Sequence, residues 1–246
     1  AQMDGAMDII ITDHHLPGAV LPPAYAVINP HRADCSYPFK ELAGVGVAFK
    51  LVQALWQIDA ERLYADDLDI VALGTIADLV PLVGENRKLV QLGLLRMTES
   101  PSLGIAALIR VSGCEGKAIN TGIVGFQLAP RLNAAGRIET ARRGVQLLAA
   151  EAVHEADRIA AELNALNTER RDLEQDILTE AEVRLADFTP DVPAIVVAGE
   201  DWNSGVIGIV ASRLVEKYYR PSIVLTRQGD VYKGSCRSIA GLHMYE

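Results

Sequence analysis

Three consecutive isoleucines, Ile9 to Ile11, break off into Thr12-Asp13-His14-His15, and Pro17-Gly18 then turns the chain away. β-branched residues favour extended backbone because they pack well on a pleated surface. A short run with no polar interruption reads as a strand of a parallel sheet, buried on both faces. Open α/β sheets hold their ligands at the carboxyl ends of such strands. One carboxylate and two imidazoles are therefore expected at such an end. Oxygen and imidazole donors suit manganese, zinc or iron. The plainer alternative is a polar strand end facing water, and for one histidine it would be the better reading. Asp-His-His directly after three isoleucines favours a metal or phosphate site.

The 246 residues suffice for one large domain or two smaller ones with a sizeable core. Half are hydrophobic and only 5% aromatic, so that core is expected to be aliphatic. The longest apolar runs fall short of a membrane span, and no amino-terminal stretch has the layout of a signal peptide. Cys35, Cys114 and Cys236 are odd in number and far apart. They suggest neither a disulfide frame nor a zinc knuckle, and a reducing cytoplasm is expected. The net charge of −9 argues against a protein that coats nucleic acid through bulk charge. It leaves room for a nuclease, whose metal carboxylates are themselves negative and whose basic groove is local.

A second strand is expected over Tyr25 to Asn29 and a helix over Gly44 to Ile58, with Val47, Leu51 and Leu55 inward and Trp56 packed. Gly44-Val45-Gly46 suits either close approach to a ligand or tight helix packing. Leu68 to Val83 is almost wholly apolar, with Asp78 inside it and Pro81 marking the break. A carboxylate in such surroundings is costly unless paired or bound to a cation. Asp78 therefore reads as a metal ligand, with a helix cap as the plainer alternative. Helices over Glu85 to Met97 and Leu103 to Val111 follow.

Thr121 to Arg137 interleaves Arg131, Asn133 and Arg137 with Ala134-Ala135-Gly136. Small residues let backbone approach a ligand, and guanidinium groups fork onto phosphate oxygens. Arg142 and Arg143 read as an exposed helix start. From Glu151 to Asp187 apolar residues recur at helical spacing without Gly or Pro, which predicts one connector helix with a single apolar face. Beyond Pro190 and Pro193 a strand over Ala194 to Ala198, a helix over Gly205 to Tyr219 and strands over Ser222 to Thr226 and Val231 to Ile239 predict a small α/β domain. Gly234-Ser235-Cys236-Arg237-Ser238 has an anion-binding composition, with a plain turn equally open.

Taken together these stretches resemble the DHH phosphoesterase superfamily and, within it, the RecJ-type single-strand-specific exonucleases. The carrying residues are TDHH at 12–15, GTIADLVPL at 74–82, PRLNAAGRI at 130–138, WNSGVIGIVASRL at 202–214 and GSCRSI at 234–239. The resemblance implies an α/β fold: a parallel-sheet DHH domain over 1–150, a connector helix over 151–188 and a smaller DHH-associated substrate-binding domain over 189–246. Both domains are expected to be incomplete, because the two ends look like cuts in a longer protein. It implies 5′-to-3′ digestion of single-stranded DNA with two divalent ions, manganese or magnesium, in DNA repair and recombination. Asp13, His14, His15 and Asp78 would be the catalytic and metal residues. Arg137, Arg213, Ser235 and Arg237, with Asn133, would contact the strand. No aromatic stacking row is evident. A monomer is expected, served by a helicase or a single-strand-binding protein, with no membrane partner.

Departures from the family pattern narrow the expectation. Further metal-binding aspartates belong upstream of the DHH strand, nothing before Asp8 matches them, and Asp4 is in no matching context. The Gly-Gly-His stretch that ends the second domain is not in the sequence, and Asn203 follows Trp202 where many relatives have His. The 246 residues alone are thus expected to bind metal weakly and to cut little. Two rival readings stand beside the exonuclease. One is a DHH phosphoesterase of short oligonucleotides, cyclic dinucleotides or pyrophosphate. The other is a non-catalytic nucleic-acid-binding or scaffold module.

Overall fold

The structure is a computed structural model, which describes residues 7–56, 67–186 and 192–244. The expected helix ends at Ile58 and Asp187, the domain boundary at 188–189 and Asp4 lie outside the described residues. The chain forms two compact units, one of Ala1–Pro130 with Leu147–Ala160, the other of Arg131–Gln146 with Ala161–Glu246.

In the first unit β1 (Ile10–Thr12) and β2 (Ala26–Ile28) pair in parallel, with Ile10 opposite Ala26 and Thr12 opposite Ile28. The Asp13 N–H donates to Ile28 O at 3.0 Å, which carries the ladder to the edge of the Asp-His-His run. The expectation that β1 is buried on both faces is not met. Ile9 and Ile11 are half-buried, while Ile10 is 55% exposed. Successive strand side chains point to opposite faces, and only one face is covered among the described residues.

α1 (Gly44–Trp56), α2 (Leu68–Ala77) and α3 (Gly84–Glu99) form the helical body behind this pair. The apolar run in α2 has no polar face because helices flank it, and seven of its ten residues are buried. Leu42, Val47, Phe49, Leu68, Val71 and Leu89 make the core between α1, α2 and α3. Burying such a side chain stabilises by about 1.5–3 kcal/mol. A Cβ on Gly74 would lie 2.8 Å from Val45 Cγ1, and one on Gly93 would lie 2.2 Å from Leu68 O. Those glycines let α1 and α3 press against α2. Two expectations fail at the end of α1, where Leu55 is 68% and Trp56 70% exposed. The face continuing from Val47 runs past the edge of the described core.

α4 (Leu103–Val111) follows, and then one continuous helical stretch made of α5 (Thr121–Ile123), a π-helical turn (Val124–Leu128) and α6 (Ala129–Ile138). α7 (Arg142–Leu148) begins at the expected arginine pair. α8 (Val153–Arg184) is unbroken for 32 residues, about 48 Å at the usual rise.

The second unit has a three-stranded sheet in the order β3 (Ile195–Glu200), β4 (Ser222–Gln228), β5 (Val231–Arg237). β3 and β4 are parallel, joined through α9 (Ile207–Tyr218), and β4 and β5 form an antiparallel hairpin. β3 alternates buried and exposed positions, as a strand with one covered face should. Its inner residues Ile195 and Val197 pack with Val206, Ile207, Val210 and Leu214, and with Ile177 and Ala181 of α8. Trp202 is 5% exposed, donates from Nε1 to Glu180 Oε2 at 2.9 Å and carries the Arg184 guanidinium 5.1 Å from its ring centroid.

Candidate metal centre and anion cradle

At the carboxyl end of β1 the Asp13 Oδ1 accepts from the His14 N–H at 2.7 Å and from the His15 N–H at 3.1 Å, and stands 2.7 Å from His15 Nδ1. The His15 ring, and after it these backbone donors, hold the Asp13 carboxyl below its ordinary range. One ligand atom from each of Asp13, His14 and His15 lies within 4.8 Å of the others. His14 Nε2 is 3.4 Å from Asp78 Oδ2, just past the last turn of α2. The structure thus gathers all four residues expected there. The donor set, two carboxylates and two imidazoles, fits a divalent transition ion or magnesium.

The environment of Asp78 differs from the expectation. Its side chain is 38% exposed, so no burial penalty forces a cation on it. The apolar run buries the residues of α2 and leaves Asp78 at the helix cap, facing His14.

Several neighbours position this centre without having drawn attention in the sequence. Asn29 is 4% exposed, donates from Nδ2 to His15 O at 2.8 Å and accepts from the His31 N–H at 2.8 Å. A strand ending in Asn was the only signal. Asn86 donates to Glu41 O at 2.5 Å and to Pro81 O at 3.0 Å, tying the entry of α1 to the loop after Asp78. For Gly44-Val45-Gly46 the structure shows the tight-packing reading. A Cβ on Gly44 would stand 3.3 Å from His14 Cδ2, so the amino end of α1 abuts the imidazole, while Gly46 packs against Leu42.

The second unit holds the other expected residues. Asn133 and Arg137 lie one turn apart on α6, both exposed. Arg137 Nη1 donates to Gly205 O at 3.0 Å, and a Cβ on Gly205 would lie 2.2 Å from Arg137 O. Asn203 shapes the same turn, its Oδ1 accepting from the Gly205 N–H at 2.8 Å. On β5, Arg237 Nη1 is 3.3 Å from Ser235 Oγ. A Cβ on Gly208 would meet Ser235 Oγ at 2.9 Å and Arg237 Nη2 at 3.3 Å. The first turn of α9 therefore faces Ser235 and Arg237 with no side chain between. A helix amino end, a hydroxyl and a guanidinium are groups whose chemistry suits an anion, which makes this a candidate cradle. Lys233 adds a cation that the sequence reading missed, 3.4 Å from Ser204 Oγ.

Arg213 is placed differently. Its Nε donates to Glu174 Oε1 at 3.1 Å and its Nη1 to Glu216 Oε2 at 3.2 Å. These carboxylates raise its pKa, the Glu174 bond most of all. Glu174 also accepts from Arg170 Nη1 at 2.7 Å. The contacts of Arg213 therefore belong to an ion-pair network between α8 and α9. Arg131 likewise points to Asn164 Oδ1, 2.9 Å from its Nε.

Residues 1–75 match the DHH family N-terminal domain, and residues 191–246 match the DHHA1 domain. Among curated proteins, the single-stranded-DNA-specific exonuclease RecJ of Bacillus subtilis is 50% identical, over 98% of this chain and 30% of its own length. RecJ of Escherichia coli is 42% identical, over 96% of this chain and 44% of its own. Among solved structures, RecJ of Thermus thermophilus in complex with Mn2+ superposes with a TM-score of 0.82 at 36% identity, covering 98% of this chain and 35% of that one. An exonuclease RecJ bound to manganese gives 0.79 at 35% identity, covering 97% and 58%. The chain thus spans 30% to 44% of the length of the curated relatives it matches.

Proposed function

We propose, for a chain that carries a DHH domain and a DHHA1 domain and is related along nearly its whole length to the RecJ exonucleases, that it belongs to the catalytic machinery of a single-strand-specific 5′-to-3′ DNA exonuclease. The observation that carries this reading is the approach of Asp78 to His14, 3.4 Å apart, beside the Asp13–His15 pair. The cofactor is a pair of divalent ions, manganese or magnesium. Bound there, they supply the charge that polarises a scissile phosphate and makes a water acidic enough to lose its proton near neutral pH.

The chain's own groups do the rest. Asp13, fixed by the His14 and His15 backbone N–H groups, stands 2.7 Å from His15 Nδ1 and so leaves Nε2 as the ring nitrogen available to a ligand. His14 and Asp78 present a second nitrogen and oxygen. Ser235, Arg237 and the amino end of α9 bind a phosphate, and Arg137 and Asn133 a further stretch of backbone. Arg213 contributes through the Glu174 network. Residues 1–150 serve as the catalytic part, with Asn133 and Arg137 adding strand contacts, 151–188 as the connector and 189–246 as the remaining strand-binding part. The free thiols of Cys35, Cys114 and Cys236 support a cytoplasmic setting. A single-strand enzyme also needs duplex opened ahead of it, which supports a helicase or single-strand-binding protein as partner.

The test is digestion of 5′-phosphorylated DNA by the protein at its natural length, with manganese. Mononucleotide release from long single strands, lost in Asp78→Ala, is expected. Cleavage of dinucleotides or pyrophosphate in preference to long strands would overturn it in favour of a small-molecule phosphoesterase. Strand binding with no cleavage would point to a scaffold module.

A further inference from the structure

One face of α8 runs through Leu163, Asn167, Arg170, Glu174, Ile177 and Ala181, at spacings of three and four residues. Leu163, Ile177 and Ala181 are buried, as a helix packed along an apolar face requires. The three residues between them are polar. Asn167 and Glu174 are nevertheless buried, and the Arg170 side chain is only 13% exposed. Arg170 Nη1 donates to Glu174 Oε2 at 2.7 Å and its Nη2 to Asn167 Oδ1 at 3.1 Å. Its Nε, also buried, finds no acceptor among the described residues. Burial pushes this guanidinium below its ordinary pKa, and the charges of Arg137 and Arg171 add to that push against the pull of Glu174. An ion pair sunk in an apolar seam seldom adds stability over apolar side chains of similar volume. The neighbours of this one give it another use.

Glu174 is shared. Its Oε1 accepts from Arg213 Nε at 3.1 Å, so one buried carboxylate fixes a guanidinium of α8 and one of α9. The second neighbour is α6, where Arg131 Nε donates to Asn164 Oδ1 of α8 at 2.9 Å. Arg137 follows Arg131 by six residues, and Arg170 follows Asn164 by six. Each step advances its helix by about 9 Å. Ile138 packs against the cluster that contains Ile177, so the two helices advance together and Arg137 comes level with Arg170. Like charges repel, and the Arg137 head is turned onto Gly205 O, 3.0 Å from its Nη1.

We propose that Asn167, Arg170 and Glu174 form a buried positioning device for the strand-binding guanidiniums, holding Arg213 by attraction and turning Arg137 outward by repulsion. The inference rests on the exonuclease reading above, in which Arg137 and Arg213 serve the strand. A guanidinium on a flexible stem loses rotamer freedom when it grips a phosphate. A carboxylate that already fixes Arg213, and a fixed charge that narrows the choices of Arg137, remove part of that cost before the strand arrives. None of the three residues has to touch DNA.

The experiment measures strand affinity, KM, kcat and Tm with manganese and 5′-phosphorylated single strands, in the protein at its natural length. It compares wild type, Glu174→Gln and the double variant Arg170→Met with Glu174→Leu. Glu174→Gln separates positioning from bulk charge. If charge alone mattered, removing a negative group beside Arg170 and Arg213 would tighten strand binding. Loss of positioning instead raises KM about tenfold, the worth of one charged hydrogen bond, with kcat little changed. The double variant fills the seam with apolar side chains, so Tm is expected to hold or rise while KM climbs by the same factor. The slope of log affinity against log salt should flatten by about 0.7 for each guanidinium that lets go. A triad with a structural role alone gives the reverse, a lower Tm at wild-type KM and salt slope. That result, or a Glu174→Gln variant that binds the strand more tightly than wild type, would overturn the inference and leave the exonuclease reading intact. Wild type that neither binds nor digests single strands removes both together.

Discussion

The parallel pairs β1–β2 and β3–β4 put the same device to use under different conditions. In each, the chain leaves the carboxyl end of a strand and meets the residues that carry chemistry. β3 is six residues long, alternates cleanly and is backed by α8 and α9. β1 is three residues long, with Ile10 largely in solvent. The anion cradle therefore rests on a packed sheet, whereas the metal centre is positioned by single polar side chains, Asn29 and Asn86, and by the helices behind them. Side-chain hydrogen bonds hold the first site, and apolar packing holds the second.

The largest expected effect tests the packed side. Trp202→Ala removes a nearly buried indole and should destabilise by about 3–5 kcal/mol, read as a loss of Tm. A smaller loss than that of an ordinary surface change would mean that the second unit is held some other way. Next comes Asp78→Ala, which should lower manganese-dependent cleavage by on the order of 100-fold, at unchanged Tm and with strand binding retained. Coupled loss of strand binding would erase the separation of roles between the two sites. Gly208→Ala places a methyl at 2.9 Å from Ser235 Oγ and should raise KM about tenfold, as should Arg237→Ala, which also flattens the salt dependence of binding.

The smallest effect concerns the first unit at low pH. Tyr37 Oη donates to Glu85 Oε1 at 2.7 Å, and Lys50 Nζ stands 2.7 Å from Glu85 Oε2. Burial alone would raise the Glu85 carboxyl, but Lys50 and Tyr37 outweigh it and hold the pKa below 4.5. A depressed carboxyl contributes stability above pH 4.5 that is lost as the pH falls through its folded value. Tyr37→Phe should cost about 1 kcal/mol at neutral pH and less in acid, seen by denaturant unfolding. An equal cost at both pH values would exclude this account.

The contrast also explains what was legible in the sequence. Strands and helices of the second unit announce themselves through clean periodicity, because one face is covered and the other is wet. Ile9 to Ile11 read as a strand for the right reason, but composition says nothing about which faces receive cover, and Ile10 emerged exposed. Asp78 was found through an assumption of burial that does not hold, since an apolar run does not tell where its helix ends. Arg213 looked like any cation on an amphipathic helix, and its ties to Glu174 and Glu216 depend on a helix far away in sequence. Asn29, Asn86 and Lys233 act through neighbours remote along the chain. The π-helical turn arises from a one-residue excess that no propensity scale registers.

Gly93 admits no Cβ, since one would stand 2.2 Å from Leu68 O and 2.4 Å from the Ala72 methyl. In a deep mutational scan this position would score as intolerant as Asp78, although it meets only a backbone carbonyl and a methyl group. Depletion at a site in such a scan would therefore report helix spacing and catalysis alike, and only a readout on purified, folded protein would separate the two.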